Sequence, residues 1–515
     1  MSDDTSSRPD DAFRPVDGVR RLSQYEVPRP GPPAEVRLDG NLGLRTSEYA
    51  EIDDTCVEPG SIRPYPDDSP LVGAICDAFD LPEERVLVTG GANGAIMRAC
   101  GIALNPDRSM VVPEPTFSLI PRFGVANGAD VRCTTWLEGD YPVDGVLDLA
   151  DDDTGLIAAV TPNNPTGLLA SRGALEAVAD RVPSALLLLD HAYVDYADQD
   201  LTSMAVRRDD VVVTRTLSKA WGMAGLRVGF AVAAPDIVRA LDSVGNTYPN
   251  AGPALELARR RLRGGRDAVD AHVRRVRRHR GELRDLLGEL GVPTTDSRAN
   301  YVYAVFDDDE WVCRALAARN LAVRIYDGDG GREGALRITV PDERATMDHL
   351  ERALRTIAEP EALVVELGDV AGRSASEPSA AVADRLERFG DVAGDRPLAA
   401  LVGCGEAGVS PEPEALERSG AVDAAVEGEP TQSGRTDALE RLAERLDVDR
   451  AWLVVGRPET ARAARRSDSP AVLPLGAPDS DSGDDPGALV QAGCAKVLDD
   501  TDELRRRWMA TETTR

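Results

Sequence analysis

Lysine is almost missing from this 515-residue chain: of the 59 basic residues only Lys219 and Lys496 are lysine, and the rest are arginine. Aromatic residues make up 4% of the chain, although a hydrophobic content of 42% is ample for the cores of two or three domains. Cysteine is sparse and scattered, at Cys56, Cys76, Cys100, Cys133, Cys313, Cys404 and Cys494. No CxxC spacing occurs, so neither a metal site nor a disulfide framework is expected. Stretches such as "IMRACGIAL" make several of these cysteines small core residues. No apolar run approaches the roughly 20 residues that a membrane helix needs. The opening "MSDDTSSRPDDAFRP" has no apolar h-region, so no secretory leader is expected and the cytoplasm is the expected location. Positive charge is outweighed, with 89 acidic against 59 basic residues and a formal net charge of −30. Such a surface disfavours nucleic acid and anionic membranes as partners. Abundant acid with so little lysine is the pattern of a halophilic protein, a statement about its solvent.

Against that background Lys219 stands out, in "TRTLSKAWGMAGLRVGF" from Thr214 to Phe230. Arginine stays protonated at physiological pH, whereas lysine is a primary amine whose pKa falls on burial. Only the amine condenses with an aldehyde to a Schiff base. The segment follows the apolar run "VVVTRTL" and precedes small residues, the setting in which open α/β sheets place ligand chemistry. Lys496, in "AGCAKVLDD", lacks that setting and reads as a surface residue.

Residues 1–45, rich in Pro, Asp and Arg, read as an extended N-terminal arm. Residues 46–250 alternate helical patterns with short apolar runs: "RVLVTGG", "SMVVPEP", "GLIAAVTPNNP", "ALLLLDHAY" and "DVVVTRTLSK". Apolar runs without alternation suit strands of a parallel sheet covered on both faces, so this large domain is expected to be a doubly wound α/β unit. Residues 251–358 open with an Arg-rich helical stretch and continue with "RANYVYAVF", "LAVRIYDGDG" and "GALRITV", a smaller α+β domain. The Arg-rich stretch has no interleaved aromatics and includes acidic residues, so a solvated or interface-facing helix is expected rather than a nucleic-acid surface. Residues 361–515 carry "ALVVELG", "LAALVGCG" and "AWLVVGRP", a third α/β region.

The polar turns closing these strands each offer one group. "TGGANGAIMRA" is a glycine-rich turn opening a helix, suited to a phosphate but equally to close packing. Phe117 in "EPTFSL" follows a strand, where it either stacks on a ring or joins the core. Asn164 in "TPNNPTG" precedes a proline that restricts its backbone. Asp190 ends the most apolar run of the chain, a costly place for a carboxylate without a cation. A phosphate cradle, an aromatic plate, a buried carboxylate, an amide and a lone amine together make the inventory for pyridoxal 5′-phosphate.

In their order, "TPNNPTG", "LLLLDHAY", "TRTLSKAWGMAGLRVG" and "ALRITV" resemble the fold-type I pyridoxal-phosphate enzymes, close to the histidinol-phosphate aminotransferases of class I/II, over residues 20–357. The resemblance implies an aspartate aminotransferase-like fold and amino transfer between an amino acid, or an amino phosphate such as histidinol phosphate, and a 2-oxo acid. It implies that Lys219 forms the Schiff base and shuttles protons, and that Asp190 pairs with the pyridinium nitrogen. Asn164 and Tyr193 would bind the phenolic oxygen, and Phe117 would stack on the ring. Ala92 and Asn93 through their N–H groups, with Thr216, Ser218 and Arg227, would hold the phosphate. Arg337 would grip the substrate carboxylate, assisted by Asn41. Tyr65 in "RPYPD" would reach the phosphate of a neighbouring subunit, which implies a homodimer. "DHAY" stands where the family commonly has Asp-Glu-Ala-Tyr, and "GGANGAI" and "LDGNLG" also depart from its usual pattern, all without loss of a catalytic group.

A phosphothreonine-type decarboxylase shares nearly all these motifs and stays open as an alternative outcome. A non-enzymatic pyridoxal-phosphate regulator would need a DNA-binding helix-turn-helix, which the acidic termini do not show. "ALVVELGDVAGRS" is similar to the opening strand of haloacid-dehalogenase (HAD) phosphohydrolases, which would make the protein bifunctional. That chemistry needs an aspartate nucleophile and a second aspartate two residues on. Glu366 and Gly368 stand there, with Asp369 out of register, so a degenerate HAD-like domain is expected.

Overall fold

The computed structural model describes residues 16–23, 34–52, 62–326, 331–367, 380–402, 412–429, 431–455, 457–467, 471–476, 486–492, 494–496, 498 and 501–511. A seven-stranded sheet forms the large domain. Its spatial order is Val86–Thr89, Gly229–Val232, Val211–Thr216, Leu186–Asp190, Thr154–Val160, Ser109–Glu114 and Asp130–Thr135. All pairings are parallel except those of Gly229–Val232, which runs antiparallel to both neighbours. Every residue of Thr154–Val160 and of Val211–Thr216 is buried, because helices cover both faces, and that is why these strands read as unbroken apolar runs. The C-terminal ends of the central strands lie together, so the turns after Val160, Asp190 and Thr216 share one edge. That edge carries the chemistry.

The small domain is an antiparallel sheet of Arg324–Ile325, Ala335–Thr339 and Tyr301–Val305, packed with the helices Arg266–Glu289, Asp309–Ala318 and Arg344–Ala358. The segment expected as an extended arm is regular in two places. Asp17–Arg20 is a helical turn, and Val36–Arg37 pairs in parallel with Leu321–Ala322. Leu38 then accepts from Thr339 N at 2.8 Å, so this stretch is part of the small domain and delivers residues 39–44 to the active edge. The arginines of the long helix serve ion pairs, among them Arg275 with Glu48 at 2.8 Å and Arg284 with Asp296 at 2.7 Å. No helix among the described residues is long and apolar enough to cross a membrane.

Residues beyond 360 form a five-stranded parallel sheet ordered Ala424–Glu427, Leu398–Val402, Ala362–Glu366, Arg450–Val455 and Ala471–Gly476. This module is fused to the small domain through a shared core. The indole of Trp452 meets Trp311 at 5.7 Å and Trp508 at 5.3 Å, edge to face, and its Nε1 donates to Thr356 O at 2.8 Å. Arg319 of the small domain, fully buried, donates to Ala464 O, Val472 O and Ser467 O at 2.8–3.2 Å. Lys496 is more than a surface residue: it pairs with the buried carboxylate of Glu503. Arg319→Met should therefore lower the unfolding free energy by about 2–4 kcal/mol, because the three carbonyls lose charge-assisted donors. Denaturant melts of wild type and variant measure this, and a loss below about 0.5 kcal/mol would contradict the account.

Candidate active site

Asp190 closes its strand beside Thr214 of the next one. Its Oδ1 accepts from Thr214 Oγ1 and from Ala192 N, each at 3.1 Å. Burial pushes its pKa up to about 6, against the pull of those two donors and of the Lys219 charge. Two neutral donors leave this carboxylate short of a cation. Lys219 begins the turn after Val211–Thr216; its Nζ donates to Gly40 O at 3.4 Å and lies 5.4 Å from the Tyr193 ring centre. Burial brings the amine down to about 7, helped by the positive charges of Arg337 and Arg227 and opposed by Asp190. A sizeable fraction is thus neutral and nucleophilic at physiological pH. The chain at Gly43 passes so close to the Lys219 carbonyl that a Cβ there would sit inside it, 1.5 Å from the oxygen.

At one end of the cavity the helix Gly91–Ala103 starts with free N–H groups, including those of Ala92 and Asn93. Gly91 has φ +70°, and a Cβ there would stand 3.1 Å from the Arg227 guanidinium. Thr216 Oγ1 donates to Ser218 Oγ at 2.9 Å, and Arg227 Nη1 reaches the same hydroxyl at 3.4 Å. Hydroxyls, a guanidinium and a helix N-terminus converge as an anion cradle.

At the other end, Arg337 Nη1 donates to Asn164 Oδ1 at 2.7 Å and to Tyr326 OH at 2.9 Å, while Nη2 donates to Asp39 O at 2.7 Å. Its Nε is buried without a hydrogen-bond partner, the donor edge that a carboxylate would complete. Asn41 differs from expectation. Its side chain donates to Tyr193 OH at 3.0 Å and accepts from Thr339 Oγ1 at 2.9 Å; the group of this segment that reaches Arg337 is the Asp39 carbonyl. Burial raises the Tyr193 hydroxyl above its ordinary range.

A cavity of about 190 Å³ is lined by every singled-out residue except Tyr65, Arg337 and Asn41: Lys219, Asp190, Tyr193, Asn164, Phe117, Ala92, Asn93, Thr216, Ser218 and Arg227. Arg337 and Asn41 bond to residues of that lining. Tyr65 is 78% exposed, stacked on Tyr248 at 4.5 Å, and is not among the residues lining its own chain's cavity. Sequence reasoning missed Thr214, which holds Asp190, and Tyr326, which sits in "VRIYDG" outside any motif. It also missed the environment of His191, where burial lowers the imidazole to about 4 and keeps it neutral.

The groups fit pyridoxal phosphate at each of its ends: a buried carboxylate short of a cation, an amine lowered to about 7, an anion cradle and an amide whose oxygen is already engaged. Fold and cavity thus define a pyridoxal-phosphate enzyme of the aspartate aminotransferase type. The chain belongs to the family "Aminotransferase class I and II", whose profile matches residues 73–357. It is a pyridoxal-phosphate-dependent aminotransferase, moving an amino group to a 2-oxo acid. A histidinol-phosphate aminotransferase of Dinoroseobacter shibae is 32% identical over 339 residues, 64% of this chain and 93% of that protein. One from Ruegeria sp. is 30% identical over 340 residues, 64% of this chain and 88% of that protein. The crystal structure of histidinol-phosphate aminotransferase from Sinorhizobium meliloti in complex with pyridoxal-5′-phosphate superposes with a TM-score of 0.58. It shares 20% identity and covers 67% of this chain and 97% of that one.

Proposed function

We propose that this aminotransferase takes histidinol phosphate as amino donor and a 2-oxo acid as acceptor, in a homodimer. The relatives just described carry that activity in their names, and the buried, partner-seeking edge of Arg337 is the observation in the molecule that supports an anionic substrate. A planar guanidinium fork serves the carboxylate of an oxo acid and the phosphate of an amino phosphate alike. Bound pyridoxal phosphate supplies an aldehyde and an electron-withdrawing ring. Lys219 Nζ would hold the cofactor through its aldehyde and, once freed by the donor amine, would carry the proton at the substrate Cα. Asp190 would hold the proton on the ring nitrogen. Asn164 and Tyr193 would serve the phenolic oxygen, and Phe117 would stack on the ring. Ala92, Asn93, Thr216, Ser218 and Arg227 would hold the phosphate, and Tyr65 of a second copy would join them. The exposed Tyr65–Tyr248 stack supports that last role, as an apolar surface free to meet a second copy.

The test is a pair of assays at high salt: histidinol phosphate with 2-oxoglutarate, followed by the new amino acid, and phosphothreonine, followed by carbon dioxide. Amino transfer with kcat/KM well above that for common amino acids supports the reading. Carbon dioxide release from phosphothreonine without amino transfer would replace it with the decarboxylase.

Residues 361–515 are, on this proposal, a HAD-related module without phosphatase activity. Glu366 ends the central strand, buried, accepting from Thr460 Oγ1 at 2.6 Å and from Arg457 N at 3.2 Å. A carboxylate so engaged within the fold is not presented as a nucleophile, and its extra methylene displaces the oxygen by about an ångström, worth on the order of 10²-fold. Gly368 and Asp369 lie outside the described residues. The intact chain with magnesium should release no phosphate from histidinol phosphate above background; robust metal-dependent release would restore the bifunctional reading.

A further inference from the structure

We propose that Tyr326 is a positioning residue for amino transfer, setting both the amide that faces the cofactor and the guanidinium that faces the substrate. Its hydroxyl donates to Asn164 Oδ1 at 3.2 Å and accepts from Arg337 Nη1 at 2.9 Å. Its place is built by the small-domain hairpin: Tyr326 N donates to Ala335 O at 2.8 Å, just beyond the Ile325–Leu336 pair of the same ladder. The ring itself is held between guanidinium groups, with Arg324 5.0 Å and Arg337 5.4 Å from its centre.

The consequence for Asn164 follows from donor and acceptor chemistry. A guanidinium has no acceptor, so the atom of the amide that meets Arg337 is its oxygen. With the tyrosine hydroxyl as a second donor, both lone pairs of Oδ1 are engaged. The amide therefore cannot flip, and the group Asn164 has left for the cavity it lines is its Nδ2 donor. A donor aimed at a phenolic oxygen favours the ionised phenol. For Arg337, Tyr326 and Asn164 together fix Nη1, while Asp39 O fixes Nη2. The plane of the fork is thereby set, with Nε buried and without a hydrogen-bond partner.

This inference rests on the assignment of Asn164 to the cofactor's phenolic oxygen and of Arg337 to the substrate anion. Tyr326→Phe deletes one oxygen and keeps the ring. In the holoenzyme, the pH midpoint of the cofactor's visible band should move upward, by about a 2–10-fold change in proton affinity, the worth of one neutral hydrogen bond. The KM for the 2-oxo acid should rise by about the same factor, with a smaller fall in kcat. Asn164→Ala serves as the reference. If Asn164→Ala moves the midpoint and Tyr326→Phe leaves both midpoint and KM unchanged, the inference is overturned while the site assignment stands. If neither variant moves the midpoint, the assignment of Asn164 fails, and the inference with it. A rise in Tm alone or a uniform loss of kcat without a shift in midpoint or KM also overturns it.

Discussion

Lys219→Arg is expected to yield a folded, colourless and inactive protein. The chain uses arginine almost wherever a positive charge is needed, so retention of lysine at 219 marks a need for something other than charge. The site shows what that is. Burial and the neighbouring charges of Arg337 and Arg227 bring the amine down to about 7, whereas an arginine there stays protonated and cannot attack an aldehyde. Nor can it relay a proton at the substrate Cα. Loss of a general acid–base group costs about 10²–10⁴-fold by itself, and loss of the covalent link adds to that. The visible spectrum after reconstitution and the rate of amino transfer measure both effects. A variant that is still coloured and still active would remove Lys219 from the mechanism.

The second large effect is expected at Asp190. Asp190→Asn keeps an oxygen to accept from Thr214 Oγ1 and Ala192 N, so the strand end should keep its shape. An amide cannot hold the proton on the ring nitrogen, and turnover should fall by about 10²–10⁴-fold. The stability of the cofactor-free protein should move the other way. The folded carboxyl is raised to about 6 from an ordinary value of 3.8. Such a group is neutral in both states below pH 4, and the folded state is penalised as pH rises through 6. Removing it should therefore favour the variant more at pH 8 than at pH 5. Thermal melts of both apo proteins across that range check the sign. A loss of activity of only a few-fold would mean that another group pairs with the ring nitrogen.

Asp190, Lys219 and Asn164 were legible because each interrupts a strong local pattern. Asp190 ends four leucines, Lys219 breaks an arginine-only composition, and Asn164 sits between a buried strand and a proline. Arg337 was legible only through the family's motif, since arginine is everywhere in this chain. Tyr326 was not legible, because its partners Asn164 and Arg337 come from two domains and its own segment has no motif. The bonding of Asn41 was hidden for a similar reason. A two-residue strand, Val36–Arg37, is too short to show a period, yet it is what attaches the segment to the small domain. The fusion of the C-terminal module was equally hidden. Trp311, Trp452 and Trp508 meet from distant parts of the sequence, and Arg319 in "RALAARNLAV" reads as an exposed charge although it is fully buried.

The central claim is that this cavity carries out two half-reactions on one cofactor. The direct test is to reconstitute the intact wild-type chain with pyridoxal phosphate and record the visible band through successive additions. An amino donor, histidinol phosphate first, should abolish the band in a single turnover, and a 2-oxo acid should restore it with formation of the new amino acid. A band that no amino compound alters, in a protein shown to bind the cofactor, would contradict the account.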